Sequence, residues 1–310
     1  MKHLVISLVM LLLLSSKPIA AKAPKIVTTI QPLHSLVAGV MDGIGAPELL
    51  LKGNESPHSF SLKPSTMRLL SNADAIFWIG PSIESFLEKA LDTIDGGPRV
   101  ITLTKTDDLI LHDAREGGIW GEGEDAHGHS HGHGHGHSDH DGHIWLDPKN
   151  AQVIADIVAD TLSDLDSENA ERYRQNANDL KRRLETLLQE TKRDLAAVRQ
   201  APYIVFHDAY QYFEQRFGTM AMGAISVHPE RPPGAKRLYE IRTRIVKSNI
   251  RCIFKEPQFT TKAAKRIAEG TSAKVKELDP LGASLSPGPD SYFKLIKGIA
   301  SSIKSCAGVQ

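Results

Sequence analysis

Thirty-five residues, Ser167 to Ala201, pass without a single glycine or proline. Ser167-Glu168-Asn169-Ala170-Glu171 opens the run with a capping residue and acidic groups in the first turn, both of which favour a helix start. Tyr173, Leu180, Leu184, Leu187, Leu188, Thr191, Leu195 and Val198 then recur three, four and seven apart, the stripe of an amphipathic helix. At about 1.5 Å per residue, such a helix spans on the order of 45–50 Å. A small domain is narrower than that, so the rod is expected to run across more than one lobe.

Strand and helix signals alternate on either side of it. Before the rod, Lys25–Ile30, Leu49–Leu51, Ala75–Gly80 and Val100–Leu103 read as strands, with helices over Pro32–Met41, Lys63–Asn72, Ile83–Ile94 and Pro148–Leu165. After it, strands over Tyr203–Phe206, Ala224–Val227, Cys252–Lys255 and Val275–Leu278 alternate with helices over Tyr210–Phe217, Ala235–Lys247, Thr261–Glu269 and Tyr292–Ser305. That rhythm is the period of βα units around a parallel sheet. The expected fold class is α/β: two βα lobes with central parallel sheets, joined by a long rigid α-helix. The expected boundaries are an N-terminal lobe over 22–166, a linking helix over 167–200 and a C-terminal lobe over 201–310.

Between Thr104 and Asp141 the apolar periodicity vanishes, which places an insertion at about 115–142 in the first lobe. His127–His143 holds eight histidines in seventeen residues, interleaved with glycine, serine and aspartate. Such a run can wrap a transition ion but cannot build a core. Imidazole suits Zn²⁺, Cu²⁺ or Ni²⁺. His127, His129, His131, His133, His135, His137 and His140 form a candidate low-affinity metal loop. They ligate only when neutral, so loop binding is expected to fade as pH falls through about 6.5.

Met1-Lys2-His3, the apolar Leu4–Leu14 and the small residues up to Ala23 stand in the order of a secretory signal peptide. It is expected at 1–21, with cleavage after Ala20 or Ala21. No later segment approaches about 18 apolar residues, so the mature chain is expected to be exported and soluble. Lys plus Arg and Asp plus Glu each number 37, which leaves no overall basic excess for nucleic acid or an anionic membrane. Cys252 and Cys306 are the only cysteines. In an oxidising compartment they most simply form one disulfide, two buried thiols being the alternative.

Three histidines outside the candidate loop stand near strand ends, where ligands bind in open α/β sheets. His58 follows the second strand through Gly-Asn-Glu-Ser-Pro, His143 begins the order that returns after the insertion, and His207 lies just past the Tyr203–Phe206 strand. Asp279 occupies the corresponding place after Val275–Leu278. Spacing alone does not bring them together. Their neighbours do resemble a known family. Ser56-Pro57-His58-Ser59-Phe60, Lys63-Pro64-Ser65, His143-Ile144-Trp145-Leu146-Asp147-Pro148, Phe206-His207-Asp208-Ala209-Tyr210 and Leu278-Asp279-Pro280-Leu281-Gly282 are similar to the ZnuA family, the periplasmic substrate-binding components of bacterial high-affinity zinc ABC importers. The resemblance covers the whole mature chain.

What it implies is a monomer in the periplasm with Zn²⁺ as transported ligand, held in a cleft between the lobes and delivered to a membrane permease and its ATPase. It implies His58, His143 and His207 as ligands and a nearby carboxylate at Asp279. Some zinc-binding members carry a glutamate before the first histidine. Pro57 stands there in this chain, which leaves water or Asp279 as fourth ligand. Asp208 and Asp147 are candidates for orienting the rings, or equally for capping helices. Three imidazoles with an open position also describe a catalytic zinc site, so an exported zinc hydrolase is the alternative. No His-Glu-x-x-His supports it, and the expectation is that the protein is not an enzyme. His34, His112 and His228 are expected to be packing or surface residues.

Overall fold

A computed structural model describes residues 23–94, 96–115, 140–226 and 229–308. The expected signal peptide, His127–His137 and His228 lie outside the described residues.

The first sheet takes strands β1 (Ile26–Thr28), β2 (Glu48–Leu49), β3 (Ala75–Trp78) and β4 (Arg99–Thr102) in the order β2-β1-β3-β4, all parallel. Helices α1 (Gln31–Val40), α2 (Pro64–Ser71) and α3 (Ser85–Asp92) connect them. The second sheet repeats the plan with β5 (Pro202–Val205), β6 (Met220–Ala224), β7 (Cys252–Lys255) and β8 (Lys274–Glu277) in the order β6-β5-β7-β8, again parallel. Its helices are α6 (Gln211–Phe217), α7 (Ala235–Lys247) and α8 (Lys262–Ala268). Ala75-Ile76-Phe77-Trp78 is buried along its whole length, as a parallel strand covered on both faces must be. In both sheets the chain switches sides between the two central strands, β1 and β3 or β5 and β7, and there a crevice opens beyond the strand ends.

β6 lies earlier than the expected Ala224–Val227. Gly218 takes a left-handed conformation (φ 72°) at the C-cap of α6, so the chain reverses into the sheet at once. Met220-Ala221-Met222-Gly223-Ala224 has no β-branched residue to announce it.

Between the sheets run α4 (Pro148–Leu165) and α5 (Ala170–Leu195), and α9 (Ser291–Ala307) closes the chain. The eight apolar-stripe residues expected on the rod are all buried. With 26 residues, α5 is about 39 Å long, shorter than the expected 45–50 Å. Its C-terminal end tightens into i→i+3 turns, Ala196 N to Arg193 O and Val198 N to Leu195 O, as the chain approaches Pro202, whose ring disfavours helix before it. α5 packs on α1 and α4 and also on α6 and α9. One continuous apolar core therefore joins Ile26 and Phe77 of the first sheet to Tyr203 and Phe254 of the second. α9 reaches back across the molecule: the Tyr292 amide donates to Ser35 Oγ (2.9 Å) and its hydroxyl to the Trp145 carbonyl (2.7 Å). Cys252, opening β7, and Cys306, in the last turn of α9, form a disulfide.

Candidate metal centre

Each of the three strand-end histidines reaches the seam between the lobes by a different local route. His207 follows β5 by two residues. β5 pairs with β7 so that Tyr203 lies beside Cys252 and Ile204 beside Ile253. Continued past the strand ends, that register sets His207 beside Glu256, and His207 Nδ1 meets Glu256 Oε1 at 2.9 Å. Both side chains are buried. His143 sits on the turn that restores order after the insertion. Asp141 accepts from the His143 amide (3.0 Å) and contacts its Nδ1 (2.6 Å) through the same oxygen. Only glycine fits between them, since a Cβ on Gly142 would stand 2.4 Å from Ser82 Oγ and 2.6 Å from Ile83 Cγ1. His58 lies on the loop after β2, half-buried, its amide held by Ser56 Oγ at 3.3 Å.

The imidazoles form a nearly equilateral triangle, with ring centroids 5.6, 5.5 and 5.2 Å apart. One nitrogen from each lies within 4.8 Å of the others. The tautomers follow from the partners. A carboxylate only accepts, so Nδ1 of His143 and of His207 carries the proton and each Nε2 presents a lone pair. Those two Nε2 atoms are 3.3 Å apart. When both rings are neutral, a lone pair faces a lone pair and no hydrogen bond joins them. Two nitrogens each about 2.0–2.1 Å from one tetrahedral ion stand about 3.3–3.4 Å apart. The space among His58, His143, His207, Trp145 and Phe259 measures about 10 Å³, which admits a single small particle.

Electrostatics separate His58 from His207. His58 is held well below the ordinary imidazole value by burial, then by the charges of His207 and His143. For His207 burial pulls the same way, but the Glu256 charge and hydrogen bond, with Asp208 and Asp141 adding, leave its pKa raised.

Asp279 does not join the triangle. Its oxygens accept from the amides of Leu281 (3.0 Å), Gly282 (2.9 Å) and Ala283 (2.6 Å), so the carboxylate folds its own turn. Nor do Asp208 and Asp147 orient the rings. Asp208 is gripped by the Arg115 guanidinium, which also holds Glu214. Asp147 caps α4 through the Lys149 amide and takes two bonds of 2.7 Å from Arg216. The orienting carboxylates are Asp141 and Glu256, which sequence reasoning passed over. Asp141 was within reach of it, two residues before a candidate ligand. Glu256 became visible only with the strand register. His140, of the histidine run, is exposed at the mouth and pairs with Asp113 at 3.0 Å. His34 is buried with Nε2 3.2 Å from the Pro47 carbonyl, and His112 packs on the Tyr212 ring.

Two matched α/β sheets on a shared helical spine, with a nitrogen-lined pocket at their seam, define a two-lobed binding protein. The description of the zinc-uptake complex component A periplasmic family, ZnuA, matches residues 26–306. The high-affinity zinc uptake system protein ZnuA of Brucella abortus is 41% identical over 314 residues, covering 93% of each chain. That of Yersinia pestis is 33% identical over 307 residues, covering 95% of this chain and 94% of its own. A crystal structure of ZnuA superposes with a TM-score of 0.77 at 25% identity, over 92% of this chain and 99% of its own. This chain belongs to the ZnuA family.

Proposed function

We propose that this protein is the zinc-capturing component of a bacterial ABC importer. It binds one Zn²⁺ in the periplasm through His58, His143 and His207 and hands it to a membrane permease driven by its ATPase. The observation that carries the reading is the 3.3 Å separation of two lone-pair-bearing Nε2 atoms, each ring backed by a buried carboxylate. Charged carboxylates behind ligating imidazoles raise their basicity and lock their orientation. Three neutral nitrogens favour zinc over manganese, which prefers oxygen. Water completes the tetrahedron, because the Asp279 oxygens are committed to backbone amides. The histidine run from His127 to His140 collects zinc weakly, and the family's periplasmic setting agrees with a signal peptide at 1–21. The protein acts as a monomer. Among the described residues no helix is long and apolar enough to cross a membrane.

Zinc titration against a competing chelator tests this. The protein is expected to hold one tight ion, and removal of residues 116–139 is expected to spare it. Single changes His143→Ala and His207→Ala are each expected to weaken it by at least about a hundredfold. Tight binding that survives the double variant, or vanishes with residues 116–139, would sink the proposal.

A further inference from the structure

Overall neutrality conceals a separation of charge. Residues 229–277 carry thirteen Lys and Arg against five Asp and Glu, a net +8, while the whole chain balances 37 against 37. The rest of the chain is therefore at −8. The cations concentrate on α7 and α8, which pack on each other and cover one face of the second sheet through Ile241, Ile245, Ala264 and Ile267.

α7 turns its isoleucines inward and leaves Lys236, Tyr239, Arg242, Val246 and Lys247 exposed. Tyr239 is 72% and Val246 66% exposed, the largest values for big hydrophobic residues among those described. Seven residues apart, they share one side of the helix, with Arg242 along one flank and Lys236 and Lys247 along the other. Arg242 and the α8 residue Arg266 line a 330 Å³ groove beside Tyr239, and neither forms an ion pair among the described residues. Apolar crests between rows of cations are the pattern of helices that lie on charged bilayers. Tyrosine rings settle at headgroup depth, and guanidinium groups match phosphate oxygens. Tyr239 and Val246 stand clear of their neighbours with cations on both flanks, the arrangement in which apolar side chains enter a layer of anionic headgroups while Lys and Arg meet its phosphates.

We infer that the outer face of α7 and α8 docks on anionic phospholipid headgroups. Such docking confines the protein's search for a membrane partner to two dimensions. It stands apart from the zinc reading, because none of its residues touches the imidazole triangle.

The test sediments the full mature chain with vesicles of phosphatidylglycerol in phosphatidylethanolamine, and with phosphatidylcholine alone, at low and high salt. Binding is expected only to the anionic vesicles and is expected to be released by salt. The combined variant Lys236→Gln, Arg242→Gln, Lys247→Gln is expected to lose about a hundredfold in partitioning. Tyr239→Ser with Val246→Ser is expected to lose about tenfold. Unchanged zinc titration in both variants shows that the fold is intact. Absent binding to anionic vesicles, or equal binding by the combined variant, overturns the inference. So does binding to phosphatidylcholine vesicles only when they carry the importer's membrane subunits, which would give this face to a protein.

Discussion

Glu256→Gln separates two jobs that one carboxylate performs for His207. The oxygen that accepts from Nδ1 at 2.9 Å fixes the ring. Gln has the same length and still offers an accepting oxygen, so the ring stays aimed at the ion. What disappears is the negative charge behind it. Loss of such a partner costs about 10- to 100-fold in metal affinity, or about 1.4–2.7 kcal/mol. The charge also sets the competition with protons. In the metal-free protein His207 has a raised pKa, because Glu256 with Asp208 and Asp141 more than offsets burial. A raised value means the ring keeps its proton at a pH where an ordinary imidazole has lost it. Zinc affinity is therefore expected to start falling above about pH 6.5 as the solution is acidified. In Glu256→Gln burial is opposed less, so that onset is expected at lower pH. Chelator competition from about pH 8 to about pH 5.5 should then show the variant weaker at the alkaline end and the two curves converging on acidification. Equal affinities at neutral pH, or parallel curves, would refute Glu256 as an electrostatic partner of the site.

Replacing both Cys252 and Cys306 with Ser opens a link across 54 residues and is expected to cost about 4 kcal/mol in urea denaturation by loop-closure entropy; a loss below about 1 kcal/mol would show that packing alone holds β7 to α9. Asp279→Ala is expected to leave zinc affinity within about twofold while lowering stability by about 1–2 kcal/mol, since part-buried amides lose their acceptor; a large affinity loss in the chelator assay would make the carboxylate a ligand. Glu84, fully buried among Thr29 Oγ1 (2.5 Å) and the amides of Ile79 and Gly80, has its pKa raised to about 7 by burial, against the lowering pull of those bonds. Its folded value lies above its unfolded one, so it contributes stability below about pH 4.5 that is lost as pH rises to about 7, on the order of 3 kcal/mol; denaturation of Glu84→Gln should lack that part of the slope, and identical slopes would refute it. Ser56→Ala, which frees the His58 loop from its bond to Glu230 (2.9 Å), is expected to speed zinc release about two- to fivefold in stopped-flow chelation; an unchanged rate would count against that loop as the exit.

Much of the fold was legible in the sequence because its signals are local. The burial stripe of α5 and the apolar runs of β1, β3 and β7 follow from periodicity and propensity. What escaped was set by distant partners. β6 has a weak strand composition and is placed by the left-handed turn at Gly218. The end of α5 depends on how the chain enters β5. At the site, the three histidines could be picked out by their strand-end positions and their family neighbourhood, but the carboxylates that orient two of them divide by range. Asp141 lies two residues from His143, whereas Glu256 lies 49 residues from His207 and is brought there by the β5–β7 register alone. Asp279 stands at a strand end that suits a ligand, and its bonds to three nearer amides became visible only in the fold.

The shared core restricts how an ion can leave. A hinge that parted the lobes would break the Trp145 indole bond to the Pro280 carbonyl (2.8 Å), the Tyr292 bond to Trp145 (2.7 Å) and the Tyr212 bond to the Asp141 carbonyl (2.7 Å), all buried. It would also shear one apolar core built from both sheets, and packed interiors resist continuous deformation. His143 and His207 stand on that frame, each locked by a buried carboxylate. His58 does not. It is half-buried on a loop whose tie to the other lobe is the exposed Ser56–Glu230 bond, and local openings come from segments with few buried contacts. The three proposed ligands are thus unequal by construction: two would make the site selective, and the third would make it reversible.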